Sequence, residues 1–574
     1  MRAFARGYVV FVVCSALAAA GCSMPNFSLK KENEIYPKLM RPDAPLVLAI
    51  PGLNIPGEPI RQRSHFGNLV QMLADRGIPC KELVYDADDY PLTAVANLGY
   101  DQTSIGQTRV SPMIVDAVQE ENDRRKELGV PPVKEVVLFT FSQGSVIGSR
   151  IIAKVHRFKR EYEDFSRRFG QEWIALKNDP EFLFLMGYLN DYIAVRDIKV
   201  QREKDFKRDP DLRNLYKRTE KKLKDQSGDF SQYIADPSKK YPQVQLFEPP
   251  ETPKYPKRYP MISEYQRKCN ADASCRDRLL DFFVSYAEFK DLLDIHIRFI
   301  STAGSFFGSP NANTGVMLAE LFVPAQLFLG REYNQIRDTQ LGSEQQLITA
   351  RSLYIDQREG RYPFMGGDTL FILGANGDKG DGIVDQSCAH LADHIGVHVS
   401  RKAGAKENVE IQRLPDFPVV PLEMTHLPRP AFPIGFTMGA SYMVEGNPVF
   451  DYLLEFIDKD WRTIDRKLDA SGIRLRQFMV VVCPAHPELK KKISIKRGNP
   501  PRGARINRQF LNRDTGAVIW TGTFTEGNTA MNLTGKEEEK WSMSLELAPD
   551  GREPVTVTIP ISPGCNTFVG VDIE

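Results

Sequence analysis

The sequence Thr140-Phe141-Ser142-Gln143-Gly144 closes an apolar run at 136–140 and opens a helical pattern over 144–155. A serine on such a strand-to-helix turn has its hydroxyl pushed clear of the sheet, near the positive end of the helix, where it can serve as a nucleophile. The turn crowds the backbone, which a small residue such as Gly144 relieves. A plainer reading makes Ser142 a residue beside a helix cap. A nucleophilic serine also needs an imidazole within hydrogen-bond reach and a carboxylate to orient it. The acidic, glycine-rich segment at 374–385 offers Asp378 and Asp381. It could instead be a calcium loop, although its spacing fits no standard pattern. Among the histidines, His426 follows the apolar stretch 419–424, whereas His390, His394 and His398 recur every four residues. That recurrence invites a metal reading. However, Gly396 ends the expected helix before His398, and no acidic residue completes a metalloprotease signature, so the segment reads as a helix without metal.

These residues sit within a pattern of alternating short strands and helices. Apolar runs at 46–50, 83–85 and 136–140 read as buried strands, with helical patterns after the first and third. A long helix is expected over 104–128. The alternation resumes at 295–300 and 369–373, and one long amphipathic helix is expected over 449–468. Such alternation implies a parallel sheet covered by helices. Residues 157–290 interrupt it. This insertion is helical and charged, with 16 charged residues among the 25 from Gln201 to Asp225, ten basic and six acidic. A proline-rich stretch follows, with seven prolines from Pro237 to Pro260. From about 472 the texture changes to short strands at 479–482, 492–495, 518–520, 541–545 and 555–558, separated by turn residues, as in a small β-sandwich.

The strand–Ser142–helix arrangement resembles the nucleophile elbow of the α/β-hydrolase superfamily, the fold of lipases and esterases. Thr140 stands where glycine is commonest. The resemblance covers 44–156 and 291–467. It implies an α/β-hydrolase core, a mostly parallel sheet flanked by helices, with a helical cap insertion and a C-terminal β-sandwich domain. In residues, this is a first core part at 36–156, the cap at 157–290, a second core part at 291–468 and the β-sandwich at 472–574. The superfamily's chain order, serine then acid then histidine, implies Ser142, Asp381 and His426 as the catalytic set, with Asp378 as the competing acid. It also implies an oxyanion hole from the backbone N–H groups of Leu53 and Gln143, with Pro51 where lipases usually carry histidine. The segment Ser301–Ser309 loosely matches a turn of lipases. No cofactor or metal is required.

Arg2 and Arg6 precede an apolar run from Tyr8 to about Ala20 that is too short to span a membrane comfortably, so 1–21 reads as a signal peptide. Ala19-Ala20-Gly21-Cys22 resembles the lipobox of bacterial lipoproteins, with Ala19 in place of the usual leucine. That resemblance implies cleavage before Cys22, lipid attachment to its thiol, and anchoring in the bacterial cell envelope at the outer membrane, facing periplasm or exterior. Export permits disulfides among Cys80, Cys269, Cys275, Cys388, Cys483 and Cys565. Cys269 with Cys275 and Cys483 with Cys565 are the expected pairs.

Lys plus Arg number 75 and Asp plus Glu 74 in 574 residues, a net charge of +1. That balance argues against a dedicated nucleic-acid binder, which needs a basic excess to displace counterions. The expected activity is that of an exported, lipid-anchored serine esterase or lipase acting on an acyl-ester or lipid substrate. The apolar segments 182–186 and 316–329 could line an acyl pocket. The alternative is a non-catalytic envelope protein that keeps the scaffold and works through its cap and β-sandwich, where a partner or glycan could bind.

Overall fold

The computed structural model describes residues 36–52, 66–83, 103–182, 259–313, 339–353, 367–376, 380–401, 408–426, 447–484, 503–524, 542–549 and 554–573, apart from one or two positions within some of them, together with a few short segments elsewhere. Residues 1–21, Cys22, Leu53, Asp378, nearly all of the charged run 201–225, most of the proline-rich stretch and the segment 316–329 lie outside the described residues. Residues 183–186 of the other apolar segment do as well.

Six strands form the first sheet: β1 (Leu46–Ile50), β2 (Cys80–Glu82), β3 (Glu135–Phe141), β4 (His296–Thr302), β5 (Thr369–Gly374) and β8 (Val419–Leu422). Their order is β8-β5-β4-β3-β1-β2, and every neighbouring pair is parallel. A parallel sheet needs cover on both faces, and the period-2 alternation of side chains supplies two apolar surfaces. Leu46, Leu48 and Ile50 enter one core with Val136 and Leu138. Val47 and Ala49 enter the other with Val137 and Phe139.

Helices α2 (Thr103–Glu127) and α3 (Gln143–Lys177) cover the first face, through residues such as Ile114, Val146 and Ile151. On the second face lie α1 (Leu69–Ala74), α6 (Pro448–Ile457) and α7 (Trp461–Ser471). The single helix expected over 449–468 is therefore two. Lys459 takes a φ of 59°, and Asp460 caps the second helix by accepting the Thr463 N–H at 3.1 Å.

Helix α3 runs far beyond the expected 155, with a break at Gly170. Its distal half packs with α4 (Pro260–Asn270) and α5 (Ala273–Phe289) into an aromatic cluster. Trp173 and Phe165 there meet Phe282 at 5.6 and 4.7 Å between ring centres. The Cys269–Cys275 disulfide ties α4 to α5 as the short spacing implies.

The second sheet contains β6 (Ile395–Arg401), β7 (Asn408–Arg413), β9 (Gln477–Pro484), β11 (Ala504–Leu511), β12 (Val518–Phe524) and β15 (Asn566–Ile573), in the order β11-β12-β9-β15-β6-β7. A three-stranded antiparallel sheet of β10 (Ile493–Lys496), β13 (Ser542–Pro549) and β14 (Val555–Pro560) completes the β-rich domain. The two sheets share a core of Val480, Trp520 and Val569 with Met543, Leu545 and Val557. Strands β6 and β7 come from inside the second core part, so the sheet's membership does not begin at 472. β6 runs parallel to β15, with Ile395 opposite Thr567.

Two expectations need correction here. The segment carrying His390, His394 and His398 is irregular chain followed by β6, not a helix. His390 Nε2–H donates to Gly564 O at 2.6 Å and His394 Nε2–H donates to His390 O at 2.8 Å. Their Nδ1 atoms accept backbone N–H groups of Ala392 and Asn566. Both rings are thus neutral, and burial pushes His390 down to about 4. Cys483 and Cys565 are not joined by a disulfide. Met479 faces Asn566 and Cys483 faces Gly570 across the parallel pair β9–β15. The two cysteines are therefore offset by about five residues, roughly 16 Å along the strands, too far to bridge. Cys80 and Cys388 are likewise outside any disulfide.

Candidate active site

Ser142 sits between β3 and α3 with φ 52° and ψ −120°, a conformation that costs a non-glycine residue energy and is held only by its surroundings. Those surroundings are specific. The Ser142 N–H donates to Thr302 O at 2.9 Å, which anchors the turn to β4. A Cβ on Gly144 would lie 2.3 Å from Ile50 O and 2.4 Å from Pro51 O, so only glycine lets α3 begin against the end of β1. A Cβ on Gly52 would come within 2.9 Å of Ser142 Cβ.

Thr140, the departure from the usual glycine, is fully buried. Its hydroxyl donates to Ile300 O at 3.1 Å and pairs with the Ser145 hydroxyl at 3.0 Å. A Cβ on Gly148 would lie 2.9 Å from Thr140 Cγ2. The glycine missing before the serine thus reappears one turn into α3, and the space for the threonine methyl comes from there. The sequence held this signal, a second glycine four residues after Gly144.

His426 follows β8, and its backbone N–H donates to Asp381 O at 3.0 Å. Its ring packs on Phe141 with centres 4.9 Å apart. His426 Nδ1 lies 2.7 Å from Asp381 Oδ2, and Nε2 lies 3.0 Å from Ser142 Oγ. A carboxylate accepts only, so Nδ1 carries the proton and Nε2 is left to accept from the serine hydroxyl. All three residues are buried, with Ser142 and His426 at 8% and 7% exposure and Asp381 at 1%.

Asp381 is fixed before it meets the histidine. Its Oδ1 accepts the N–H groups of Ile383 at 2.9 Å and Val384 at 2.7 Å, leaving Oδ2 for the ring. A Cβ on Gly374 would lie 2.4 Å from Asp381 Cβ, so that glycine lets the loop fold back against the end of β5. The Asn376 side-chain amide donates to Met424 O, tying this loop to the strand that leads to His426. The Ser301–Ser309 segment, only a loose match in sequence, joins both halves of the site. Besides the Thr302 contact, Ser305 N–H approaches Ser142 O at 3.4 Å and Ser309 Oγ–H donates to Ile383 O.

Gln143 is the first residue of α3, where backbone N–H groups have no acceptor within the helix. Its expected oxyanion partner, Leu53, lies outside the described residues, as does the competing acid Asp378. Among the described residues no group of three His, Cys, Asp or Glu side chains could hold a metal ion, and none of their helices is long and apolar enough to cross a membrane.

The arrangement can move a proton from Ser142 Oγ to His426 Nε2 as the oxygen attacks an electrophilic centre. The imidazolium formed is stabilised by the Asp381 carboxylate on its far side, and the proton can then pass to a leaving group.

No protein-family model matches the chain, and no curated protein matches it. Among solved structures, the chain is similar to the phospholipase PlaB from Legionella pneumophila, at 9% identity and a TM-score of 0.48, over 92% of this chain and 93% of that one. It is also similar to the same phospholipase in complex with thio-NAD, at 10% identity and a TM-score of 0.43, with the same coverage.

Proposed function

We propose that the protein is a serine hydrolase that cleaves carboxylic esters through an acyl-enzyme. The observation that carries this reading is the continuous relay Ser142 Oγ–His426–Asp381, with separations of 3.0 and 2.7 Å, on a strained turn at a helix N-terminus. Ser142 attacks the acyl carbonyl while His426 takes its proton. The Gln143 N–H, with that of Leu53, receives the charge on the tetrahedral oxygen. His426 then protonates the departing alcohol, activates water and releases the acid. The compensation of Thr140 by Gly148 supports a working elbow over a scaffold that has lost its activity.

The substrate proposed is a lipid or other acyl ester, a choice supported by the likeness of the N-terminal sequence to that of exported, lipid-anchored proteins. In this reading 1–21 direct export, cleavage precedes Cys22, and acyl chains on Cys22 hold the protein to the outer membrane. Hydrolysis of p-nitrophenyl esters of increasing chain length and of phospholipid vesicles, by wild type and His426→Ala, tests the activity. Turnover of at least one ester that falls by about 10³-fold or more in the variant is expected. Equal turnover would contradict it. Alkynyl-palmitate labelling that persists in Cys22→Ser would overturn the anchor.

A further inference from the structure

The loop that carries Asp381 is gripped from two directions. On the hydrolase side, Ser309 Oγ–H donates to Ile383 O and Asn311 Nδ2–H donates to Gly382 O at 2.8 Å. On the other side, the grip comes from the β-rich domain. Gln477, the first residue of β9, accepts the Gln386 N–H on Oε1 at 2.5 Å. Gln386 answers in kind, its Oε1 accepting the Arg476 N–H at 2.9 Å and the Gln477 N–H at 3.4 Å. Asn566, the first residue of β15, donates from Nδ2 to Ser387 O at 2.7 Å. Because Met479 and Asn566 are paired across β9 and β15, the two strand starts act side by side. Gln386, Gln477 and Asn566 are all buried.

The Gln477 side chain also hydrogen-bonds the Asp385 carboxylate, which faces Arg508 of β11 and Asp381. Burial pushes the Asp385 carboxyl up to about 6. Asp385 directly follows Val384, whose N–H holds Asp381 Oδ1. From β9 to the histidine the chain of contacts is therefore unbroken: Gln477 to Asp385 and Gln386, Val384 N–H to Asp381 Oδ1, and Asp381 Oδ2 to His426.

We propose that Gln477 is a positioning residue for the reaction, and that the β-rich domain is thereby a built-in support of the active site and not an appended binding module. Gln477 holds the Asp385–Gln386 peptide where Val384 N–H can engage one oxygen of Asp381, so that the other alone faces the ring. This inference rests on the hydrolase reading above.

A double-mutant cycle on the full chain tests it, with kcat and KM measured on a soluble ester for Gln477→Ala and Gln477→Met, alone and in the Asp381→Asn background. The expected result is a fall in kcat of about 10- to 100-fold with KM changed less than about twofold, as for displacement of a reacting group by a fraction of an ångström. In the Asp381→Asn background the same substitutions should cost less than about twofold more, because there is no carboxylate left to position. A similar fold-loss in both backgrounds, or a folded Gln477 variant with wild-type kcat, overturns the proposal. So does loss of the folded state in both variants, which would make Gln477 a structural residue only. Wild type lacking esterase activity, or Ser142→Ala retaining it, would instead refute the hydrolase reading itself.

Discussion

The two halves of the site are built differently. The Ser142 half is contiguous in sequence: strand, turn and helix adjoin, and the two glycines that admit them, Gly144 against the end of β1 and Gly148 against Thr140, lie within nine residues of Thr140. The Asp381–His426 half is assembled across the chain. Its acid loop is held by residues near 309, 477 and 566, and the span between acid and histidine leaves the parallel sheet to supply β6 and β7 to another. A strained turn can be encoded in a pentapeptide, whereas a loop held at a fixed distance from a ring must draw on whatever packs behind it. The nucleophile side should therefore fail through sterics, and the acid side through electrostatics and loss of support.

Five substitutions separate these modes. The largest effect is expected on the acid side, where Asp381→Asn removes the charge that stabilises the imidazolium and favours the wrong tautomer. It should lower kcat by about 10⁴-fold with the melting temperature nearly unchanged. A loss below tenfold in steady-state kinetics would mean that Asp381 is not the acid.

On the nucleophile side, Gly144→Ala forces a Cβ into two backbone carbonyl oxygens that cannot move independently. A stability loss of about 3 kcal/mol or more, or no soluble protein, is expected on chemical denaturation. A fully stable variant would show the turn to be less tightly fixed.

Asp385 sharpens the contrast through pH. Its folded pKa is raised, mainly by burial, from 3.8 to about 6, so the folded state binds the extra proton between those values. The carboxylate therefore opposes folding at neutral pH, and that cost disappears as pH falls through 6 toward 4. Asp385→Asn removes the titration, so relative to wild type it should lose about 2 kcal/mol of its advantage between pH 7 and pH 4. Parallel stability–pH curves for the two proteins would contradict the burial of this charge.

The smallest effect concerns Thr140. Gly148→Ala should cost about 1–3 kcal/mol by crowding the threonine methyl. Thr140→Ser, which keeps the hydroxyl and removes that methyl, should recover part of it in the double variant. Strict additivity in denaturation midpoints would show that the two residues do not compete for one space.

The same division governs what could be read from sequence. Ser142 was legible because its strand, turn and helix are contiguous. Asp381 and His426 were legible only through the chain order that the family resemblance implied. The support behind them was not: nothing in the composition around Gln386 or Gln477 marks two glutamines 91 residues apart as partners. Around His390 and His394 the sequence suggests a helix because histidines four apart mimic a helical face, although just beyond them Ile395, Val397 and Val399 alternate as a buried strand does. Pairing Cys483 with Cys565 failed because parity says nothing about register. The polar, exposed β11 escaped notice for want of any apolar run.

The proposed function depends most on Ser142 being the nucleophile, activated by His426. Labelling the full-length protein with a fluorophosphonate probe, followed by mass spectrometry of the peptides, tests it most directly. One adduct is expected, on the peptide containing Ser142, absent in Ser142→Ala and strongly slowed in His426→Ala. Equal labelling of Ser142→Ala, or an adduct on another serine, would contradict it.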